Sequence, residues 1–227
     1  MNNRSFTSFC ALGAAMFTVA TIGPAFAGSY VEYIDSDRSK KQAIDSGYYV
    51  NPKTRIVADF AYLDITNQQR LFGVVGASGS VACQLYINGS TYGTGSYAFA
   101  CSNNVNAGWT SLSLVVTNGL RRTFTLSGPD KVVRLYEGYD GSVRLKTGSF
   151  PGAIKNTAKH RLALFGNKSA NDTYTISGYD SNFGSIRLWS FRIYEGDALV
   201  KDYRPYKDDD GKYCLKEIGR ASCRERV

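Results

Sequence analysis

The sequence predicts an all-β protein in which two antiparallel sheets pack face to face. Short runs rich in Val, Ile, Thr, Tyr and Phe recur along the chain, and Gly, Asn, Asp and Ser separate them. Apolar and polar residues alternate within many of these runs, whereas the 3.6-residue periodicity of helices is nearly absent. Many brief strands of this kind are typical of a β-sandwich, since alternate side chains then point into one apolar interlayer.

The segments predicted as strands share this composition and end at turn-forming residues. They are Tyr30–Ile34, Arg55–Leu63, Arg70–Val75, Val81–Ile87, Ser96–Cys101, Leu112–Thr117, Arg121–Leu126, Val132–Glu137, Ser142–Lys146, Arg161–Phe165, Tyr174–Ser177, Ser185–Tyr194 and Leu199–Tyr203. In the segment from Ser185, the large residues Trp189, Phe191 and Ile193 occupy alternate positions, which predicts that all three fill the core.

A hairpin is predicted between the segments around residues 112–117 and 121–126. A two-residue turn would pair Phe124 with Ser113 and mix the two faces. A three-residue loop over 118–120 pairs Leu114 with Phe124 and Leu112 with Leu126, which keeps one face apolar. The second register is therefore favoured, with a positive-φ residue in the loop.

The first 27 residues are predicted to be a cleaved signal peptide. Arg4 supplies the positive start, residues 9–22 form an uncharged apolar stretch, and residues 25–27 read Ala-Phe-Ala, a small-x-small cleavage pattern. The apolar stretch is shorter than the roughly 20 residues that a membrane-spanning helix needs. We therefore expect a secreted, cell-surface or periplasmic protein whose mature chain has no transmembrane segment.

Residues 28–217 are predicted to form one domain. The last ten residues, 218–227, resemble the conceptual translation of a sequencing-adapter oligonucleotide, and we interpret them as a non-native tail. Residues 28–217 contain 23 basic and 18 acidic residues, a net charge of +5. This mild excess and the predicted export both argue against a nucleic-acid partner, although they permit attraction to acidic cell-surface polymers.

Three cysteines belong to the predicted domain, which is an odd number and hence no disulfide framework. A bridge between Cys83 and Cys101 would stabilise the fold by about 3 kcal/mol in the loop-entropy description. The alternative, that Cys83, Cys101 and Cys214 are buried as small apolar side chains, stays open. His160 is the only histidine, so no cysteine–histidine metal spacing exists.

Two stretches resemble a known family. One covers residues 30–36, 44–48 and 51–55, and the other covers residues 188–194, 199–206 and 210–211. Together they resemble laminin-G-like domains of the concanavalin A-like lectin/glucanase superfamily, as found in secreted bacterial proteins. The resemblance implies a two-sheet jelly roll whose first strand lies near the last ones. It also implies a glycan-binding, adhesion or accessory role, although some relatives are glycosidases, so the fold alone does not assign a function.

No catalytic or metal-binding motif accompanies this resemblance. Retaining glucanases of the superfamily place three acidic residues in a Glu-x-Asp-x-x-Glu pattern on one strand face, and this chain lacks that pattern. The acidic run Asp208-Asp209-Asp210-Gly211 does not match a calcium loop and is interpreted as a turn. No cofactor is predicted, and Ca²⁺ has no motif to support it.

The segment from Tyr86 to Trp109 is the sequence-based candidate for sugar binding. It is rich in aromatic, Asn, Gly and Ser residues, and an aromatic ring can stack on the C–H face of a sugar while Asn bonds its hydroxyls. The predicted ligand-binding residues are Tyr92, Tyr97, Asn103, Asn104 and Trp109. Tyrosine is also a common strand residue, which is the competing interpretation.

The sequence thus favours an exported, non-catalytic lectin-like module that binds carbohydrate or another extracellular surface. Two alternatives stay open. The first is a structural or interaction domain of a larger surface protein, and the second is a glycoside hydrolase that draws its carboxylates from separate strands.

Overall fold

The computed structural model describes residues 28–65, 68–75, 81–88, 95–102, 107–154, 161–167, 183–218 and 223–224. These residues form sixteen strands and one 3₁₀ turn at Arg38–Lys40. The strands are β1 (Ser29–Tyr30), β2 (Ile34–Asp35), β3 (Ile44–Asp45), β4 (Thr54–Tyr62), β5 (Gln69–Val75), β6 (Val81–Asn88), β7 (Ser96–Ser102), β8 (Ala107–Val115), β9 (Arg122–Ser127), β10 (Val132–Glu137), β11 (Val143–Ser149), β12 (Ala163–Leu164), β13 (Ile186–Glu195), β14 (Ala198–Lys207), β15 (Tyr213–Glu217) and β16 (Cys223–Arg224).

The strands build two antiparallel sheets, as the alternation of the sequence predicts. The larger sheet has the order β11-β10-β9-β4-β13-β14-β15-β16, with β1 beside β14 and β2 beside β13. The smaller sheet has the order β3-β12-β5-β6-β7-β8. Within the described residues, no helix is long or apolar enough to cross a membrane.

The core lies between the two sheets and is rich in aromatic rings. Phe72 of the smaller sheet packs against Phe124 and Phe191 of the larger sheet, with ring centres 5.9 and 5.8 Å apart. Phe99 of the smaller sheet also contacts Phe124, at 6.2 Å. Such tilted and edge-to-face pairs add about 0.5–1.5 kcal/mol each to the free energy from burial alone, and they hold the sheets in register.

The predicted position of the first strand is confirmed, because β1 pairs with β14 and β2 pairs with β13. The predicted turns are confirmed as well. Gly196 joins β13 to β14 at φ 61°, and Gly211 closes the β14–β15 turn at φ 79°. The Asp208 carboxylate accepts a hydrogen bond from the Lys212 backbone N–H at 2.8 Å, so this aspartate serves the turn.

The predicted hairpin between Leu112 and Leu126 is wrong. β8 pairs with β7 in the smaller sheet, whereas β9 pairs with β4 and β10 in the larger sheet. The chain therefore crosses from one sheet to the other at residues 116–121, where Gly119 has the expected positive φ of 73°. Leu112, Phe124 and Leu126 do share the core, but across the interlayer and not along one ladder.

Parts of both ends of the chain lie outside the described residues. Residues 1–27 lie outside the described residues, so the signal peptide stays a prediction. Residues 223–224 pair with β15, and the interpretation of 218–227 as a non-native tail is likewise untested. Cys214 is disulfide-bonded to a cysteine whose side chain is not among those described, so the interpretation of Cys214 as a free thiol is corrected.

Candidate functional site

A β-bulge in the longest central strand places Trp189 on the outer face of the larger sheet. Leu188 of β13 pairs with Phe60 of β4, and Ser190 pairs with Asp59, so Trp189 is the extra residue between them. Ile186 and Leu188 point into the core before the bulge, and Phe191 and Ile193 do so after it. The prediction that Trp189 fills the core is therefore wrong, because the bulge turns its side chain outward to a half-buried position.

Arg121 covers the Trp189 ring and is held there by a carboxylate. The guanidinium carbon of Arg121 lies 4.2 Å from the centre of the Trp189 ring and 4.9 Å from that of Tyr139. The Asp59 carboxylate accepts hydrogen bonds from Arg121 Nε and Nη2 at 2.9 and 2.5 Å. These bonds raise the pKa of the Arg121 guanidinium, which is therefore a fixed positive charge.

A second arginine repeats this arrangement beside the first. The guanidinium carbon of Arg187 lies 3.8 Å from the centre of the Tyr33 ring, and its Nε and Nη2 each donate a hydrogen bond to the Asp35 carboxylate at 2.8 Å. Tyr33 meets Trp189 edge to face, with ring centres 6.0 Å apart. Guanidinium and aromatic groups thus alternate along this outer face, each arginine already paired with a carboxylate.

A groove of about 370 Å³ lies on the same outer face, towards the Gly196 end of the sheet. β4, β9, β10 and β13 form its floor, and the turns after β9 and β13 form its rim. The side chains of the lining are arginine, tyrosine, hydroxyl and aspartate groups together with one valine. They are Arg55, Val57, Thr125, Ser127, Asp130, Arg134, Tyr136, Tyr194 and Asp197.

Strand register explains why these side chains converge. On β4, Arg55 and Val57 alternate with core residues, and the same holds for the lining residues of the neighbouring strands. Across the sheet, one row reads Arg134, Thr125, Val57 and Arg192 in directly paired positions. The neighbouring rows bring in Tyr136 on one side and Ser127, Arg55 and Tyr194 on the other. A rigid antiparallel sheet therefore fixes the spacing of every side chain on the floor.

The charges in the groove are unevenly compensated. Arg55 reaches Asp197 at 3.3 Å and Asp130 at 4.0 Å, and both aspartates are largely exposed on the rim. Arg134 has no hydrogen-bond or ion-pair partner among the described residues. Arg192 lies next to Val57 in the register and has a buried Nε without a partner in the described part of the chain. The floor is thus more basic than the rim.

The predicted ligand-binding residues do not form a site in the described part of the chain. Tyr97 is 1% exposed and packs against Phe60 and Tyr62, so its ring has no surface to offer a ligand. Its burial also raises its pKa to about 12. Trp109 belongs to β8, but its side chain is not described. Tyr92, Asn103 and Asn104 lie outside the described residues, and so does His160. The prediction for Tyr97 is therefore corrected, and the others stay predictions.

Cys83 and Cys101, for which the sequence left a disulfide and burial as free thiols both open, are adjacent and reduced. Cys83 of β6 lies directly opposite Cys101 of β7, and both are buried free cysteines. The structure therefore confirms their proximity and shows no bond between them. Burial raises the pKa of both thiols, that of Cys101 to about 12.

Metal ligands are not clustered in the described part of the chain, where no three His, Cys, Asp or Glu side chains come together. The carboxylates of the outer face, such as Asp59 and Asp35, are bound by arginine instead.

Sequence reasoning missed this outer face, although one signal for it is present. The large apolar residues of β13 fall on even positions at Ile186 and Leu188 and on odd positions at Phe191 and Ile193. That change of parity requires an extra residue between them, which is the bulge at Trp189. Tyr136 and Tyr194 gave no such signal, because outward tyrosines look the same in sequence whether or not a groove surrounds them.

Comparison with known structures places this architecture among laminin-G-like and concanavalin A-like sandwiches, which confirms the predicted fold class. The chain is similar to domains LG4-5 of the mouse laminin α1 chain, with a TM-score of 0.53 and 10% identity, over 90% of this chain and 48% of that chain. This chain therefore spans about half the length of the laminin chain. At this identity the likeness shows the shared fold alone.

The structural neighbours also include carbohydrate-binding modules. One is a putative carbohydrate binding protein from Bacteroides ovatus ATCC 8483, with a TM-score of 0.43, 11% identity and coverage of 87% of this chain and 60% of that chain. Another is the CBM40 of Ruminococcus gnavus IT-sialidase bound to α2,3 sialyllactose, with a TM-score of 0.41, 14% identity and coverage of 76% and 91%. No protein-family profile and no curated protein sequence matches the chain.

Proposed function

We propose that this chain is an exported carbohydrate-binding module that holds a saccharide in the groove over β4, β9, β10 and β13. The single observation that carries the proposal is the composition of that groove. Two half-buried tyrosines, Tyr136 and Tyr194, share one concave floor with Thr125, Ser127 and Arg134. The predicted signal peptide supports an extracellular setting, and the fold is compatible with this role.

The chemistry of the lining suits a sugar ring. A pyranose presents an apolar C–H face on which a tyrosine ring can stack, and a rim of hydroxyls that both donate and accept hydrogen bonds. Thr125 offers a hydroxyl that can donate and accept, and Arg134 offers donors. The Ser127 hydroxyl already donates to the Asp130 carboxylate at 2.6 Å, so it orients that carboxylate at the rim. Concave sites that combine apolar rings with a few polar groups on rigid elements are the usual form of ligand sites.

Binding without cleavage is the proposed role, because the carboxylates at the groove lack the setting of a hydrolytic pair. A glycosidase needs one carboxyl that stays protonated through burial and a second that is ionised. Asp130 and Asp197 share the guanidinium of Arg55, and their side chains are 55% and 94% exposed. Both are thus arranged as solvated ion pairs at the rim, which supports a binding role.

The test is a glycan array followed by titration of the best ligand. We expect Tyr136→Ala and Tyr194→Ala each to weaken binding about ten-fold, since losing a stacked ring costs about 1.4 kcal/mol. Tyr213→Ala is the matched control, because Tyr213 is an exposed tyrosine on β15 outside the groove lining. Absence of binding to any glycan, or an equal loss in the Tyr213 variant, would contradict the proposal.

A further inference from the structure

We infer that the groove selects acidic saccharides, with carboxylate or sulfate groups bound by Arg134 of the lining and by Arg192, which lies just outside the lining beside Val57. This inference rests on the proposed function and adds the chemical class of the ligand. It starts from a contrast between arginines on one sheet face. Arg121 and Arg187 each have a carboxylate at hydrogen-bond distance, whereas Arg134 and Arg192 have none among the described residues.

The nearest carboxylate to Arg192 is already occupied. Asp202 of β14 lies directly opposite Arg192 in the register, but it accepts hydrogen bonds from Arg204 at 2.9 and 3.4 Å. The Nε of Arg192 is buried and has no partner in the described part of the chain. Arg192 as a whole is only half-buried, and its terminal nitrogens are not among the buried unpaired atoms, so they are the donors that an anionic ligand would meet.

Arg134 and Arg192 are placed to contact one extended ligand. They belong to the same transverse row of the sheet, with Thr125 and Val57 between them. The backbones of β10 and β13 are three strand spacings apart, which is a distance of about 14 Å. Anionic groups bound by side chains from strands that far apart fit an oligosaccharide better than a single sugar unit. The tyrosines in the neighbouring rows flank the path between the arginines.

Guanidinium chemistry favours an oxyanion over a neutral hydroxyl. The planar fork of arginine matches the two oxygens of a carboxylate or a sulfate, and such charge-assisted bonds are about twice as strong as neutral ones. The groove lining holds two arginines and two aspartates, so its charges balance in total. Both aspartates lie at the rim near Arg55, however, and Arg134 on the floor has no carboxylate partner among the described residues.

The experiment compares polygalacturonate with its fully methyl-esterified form, which has the same backbone without the charge. We expect the protein to bind polygalacturonate at least about ten-fold more tightly, by the strength of one charge-assisted contact. Arg134→Gln and Arg192→Gln should each reduce the ratio of affinity for polygalacturonate to affinity for the ester by about ten-fold. Arg134→Lys, which keeps the charge but not the fork, should retain part of it.

Lys40→Gln is the control for net charge, since Lys40 is an exposed cation of the 3₁₀ turn outside the groove lining. A comparison of dextran sulfate with uncharged dextran tests for sulfate binding in the same way. Together, the carboxylate pair and the sulfate pair of polymers show which anion the groove binds. Circular dichroism and thermal unfolding of each variant separate loss of binding from loss of folding.

Three results would overturn the inference. Equal affinity for the charged and esterified polymers, with binding still lost in Tyr136→Ala, would leave the proposed function intact and refute the preference for acids. An equal loss in Lys40→Gln would show a diffuse charge effect. No binding to any of the four polymers, or to any glycan on the array, would remove the proposed function and this inference together.

Discussion

The guanidinium carbon of Arg121 lies 4.2 Å from the centre of the Trp189 ring, on the outer face of the larger sheet. The bulge on β13 brings Trp189 to that face, and Asp59 on β4 holds Arg121 over it. Two neighbouring strands and the residue just before β9 thus contribute to one contact. Asp59 lies two residues from Val57 on the same face of β4, so this contact borders the groove and supports its floor.

Arg121→Gln should therefore loosen the Trp189 side chain. We expect a loss of about 1–2 kcal/mol of stability, since one cation–aromatic contact and one charge-assisted pair disappear. Trp109 is the only other tryptophan, so the emission of Trp189 can be followed in a Trp109→Phe background. The wavelength of Trp189 emission should shift in the Arg121→Gln variant. Arg144→Gln, which changes an exposed residue on β11, should leave that wavelength unchanged. An unaltered spectrum in the Arg121 variant would refute this contact.

Cys83 and Cys101 should form a disulfide under mild oxidation. Directly paired residues of antiparallel strands have Cα atoms about 4.5–5.5 Å apart, which lies within the range that a disulfide accepts. The bridge should stabilise the fold by about 3 kcal/mol. Intact mass should show the loss of two hydrogens, and thermal unfolding should become sensitive to reductant. In the Cys83→Ala/Cys101→Ala variant, oxidation should add no such sensitivity beyond that of the Cys214 disulfide. Persistence of the Cys83 and Cys101 thiols in oxidised folded protein would contradict the prediction.

The reduced protein should lose stability at alkaline pH. Burial raises the pKa of Cys101 from its ordinary value near 9 to about 12, and that of Tyr97 from near 10 to about 12. The folded state therefore holds both protons more tightly than the unfolded chain does. The resulting stability is complete below the unfolded pKa values and is lost as pH rises towards 12, by up to about 1.4 kcal/mol per pH unit for each group.

Denaturant unfolding at a series of pH values measures this loss. Tyr97→Phe removes one of the two groups, so its stability should decline less steeply than that of the parent above about pH 10. A parent stability that is flat between about pH 9 and pH 12, or identical slopes for parent and variant, would count against the burial of these groups.

Gly128→Ala should destabilise the sheet next to the groove. A Cβ at this position would lie 2.7 Å from the Pro52 carbonyl oxygen and 2.8 Å from that of Thr54. The backbone must then move apart, at a cost of about 1–3 kcal/mol. Gly138→Ala is the comparison, because that position has open space but a φ of 63° and should cost only about 1 kcal/mol. Chemical denaturation measures both, and a smaller loss at Gly128 than at Gly138 would refute the steric argument.

The sequence predicted most strands of this fold but not all of their partners. Leu112 and Leu126 both alternate with polar residues, and this pattern shows only that each strand has one apolar face. Two such faces meet in the same way whether the strands are neighbours in one sheet or lie opposite each other in two sheets. The sandwich uses the second arrangement here, and the hairpin prediction failed for that reason.

The candidate site was less predictable than the fold. Tyr97 and Tyr194 are both strand tyrosines with one polar and one apolar neighbour in the sequence, yet one is in the core and the other lines the groove. Which face of a strand is covered depends on the sheet beside it, and which outward side chains converge depends on the register of four strands. Neither property belongs to a single segment of the sequence.

Local alternation of side chains, and the turn residues between them, sufficed by themselves to specify an antiparallel sandwich with an aromatic interlayer. The tertiary structure alone decided that Cys83 lies opposite Cys101, and that Arg134 and Arg192 lie in one row without a carboxylate bonded to either of them in the described part of the chain. The physical reason is that alternation acts over two residues, whereas a binding surface is assembled from strands distant in the chain.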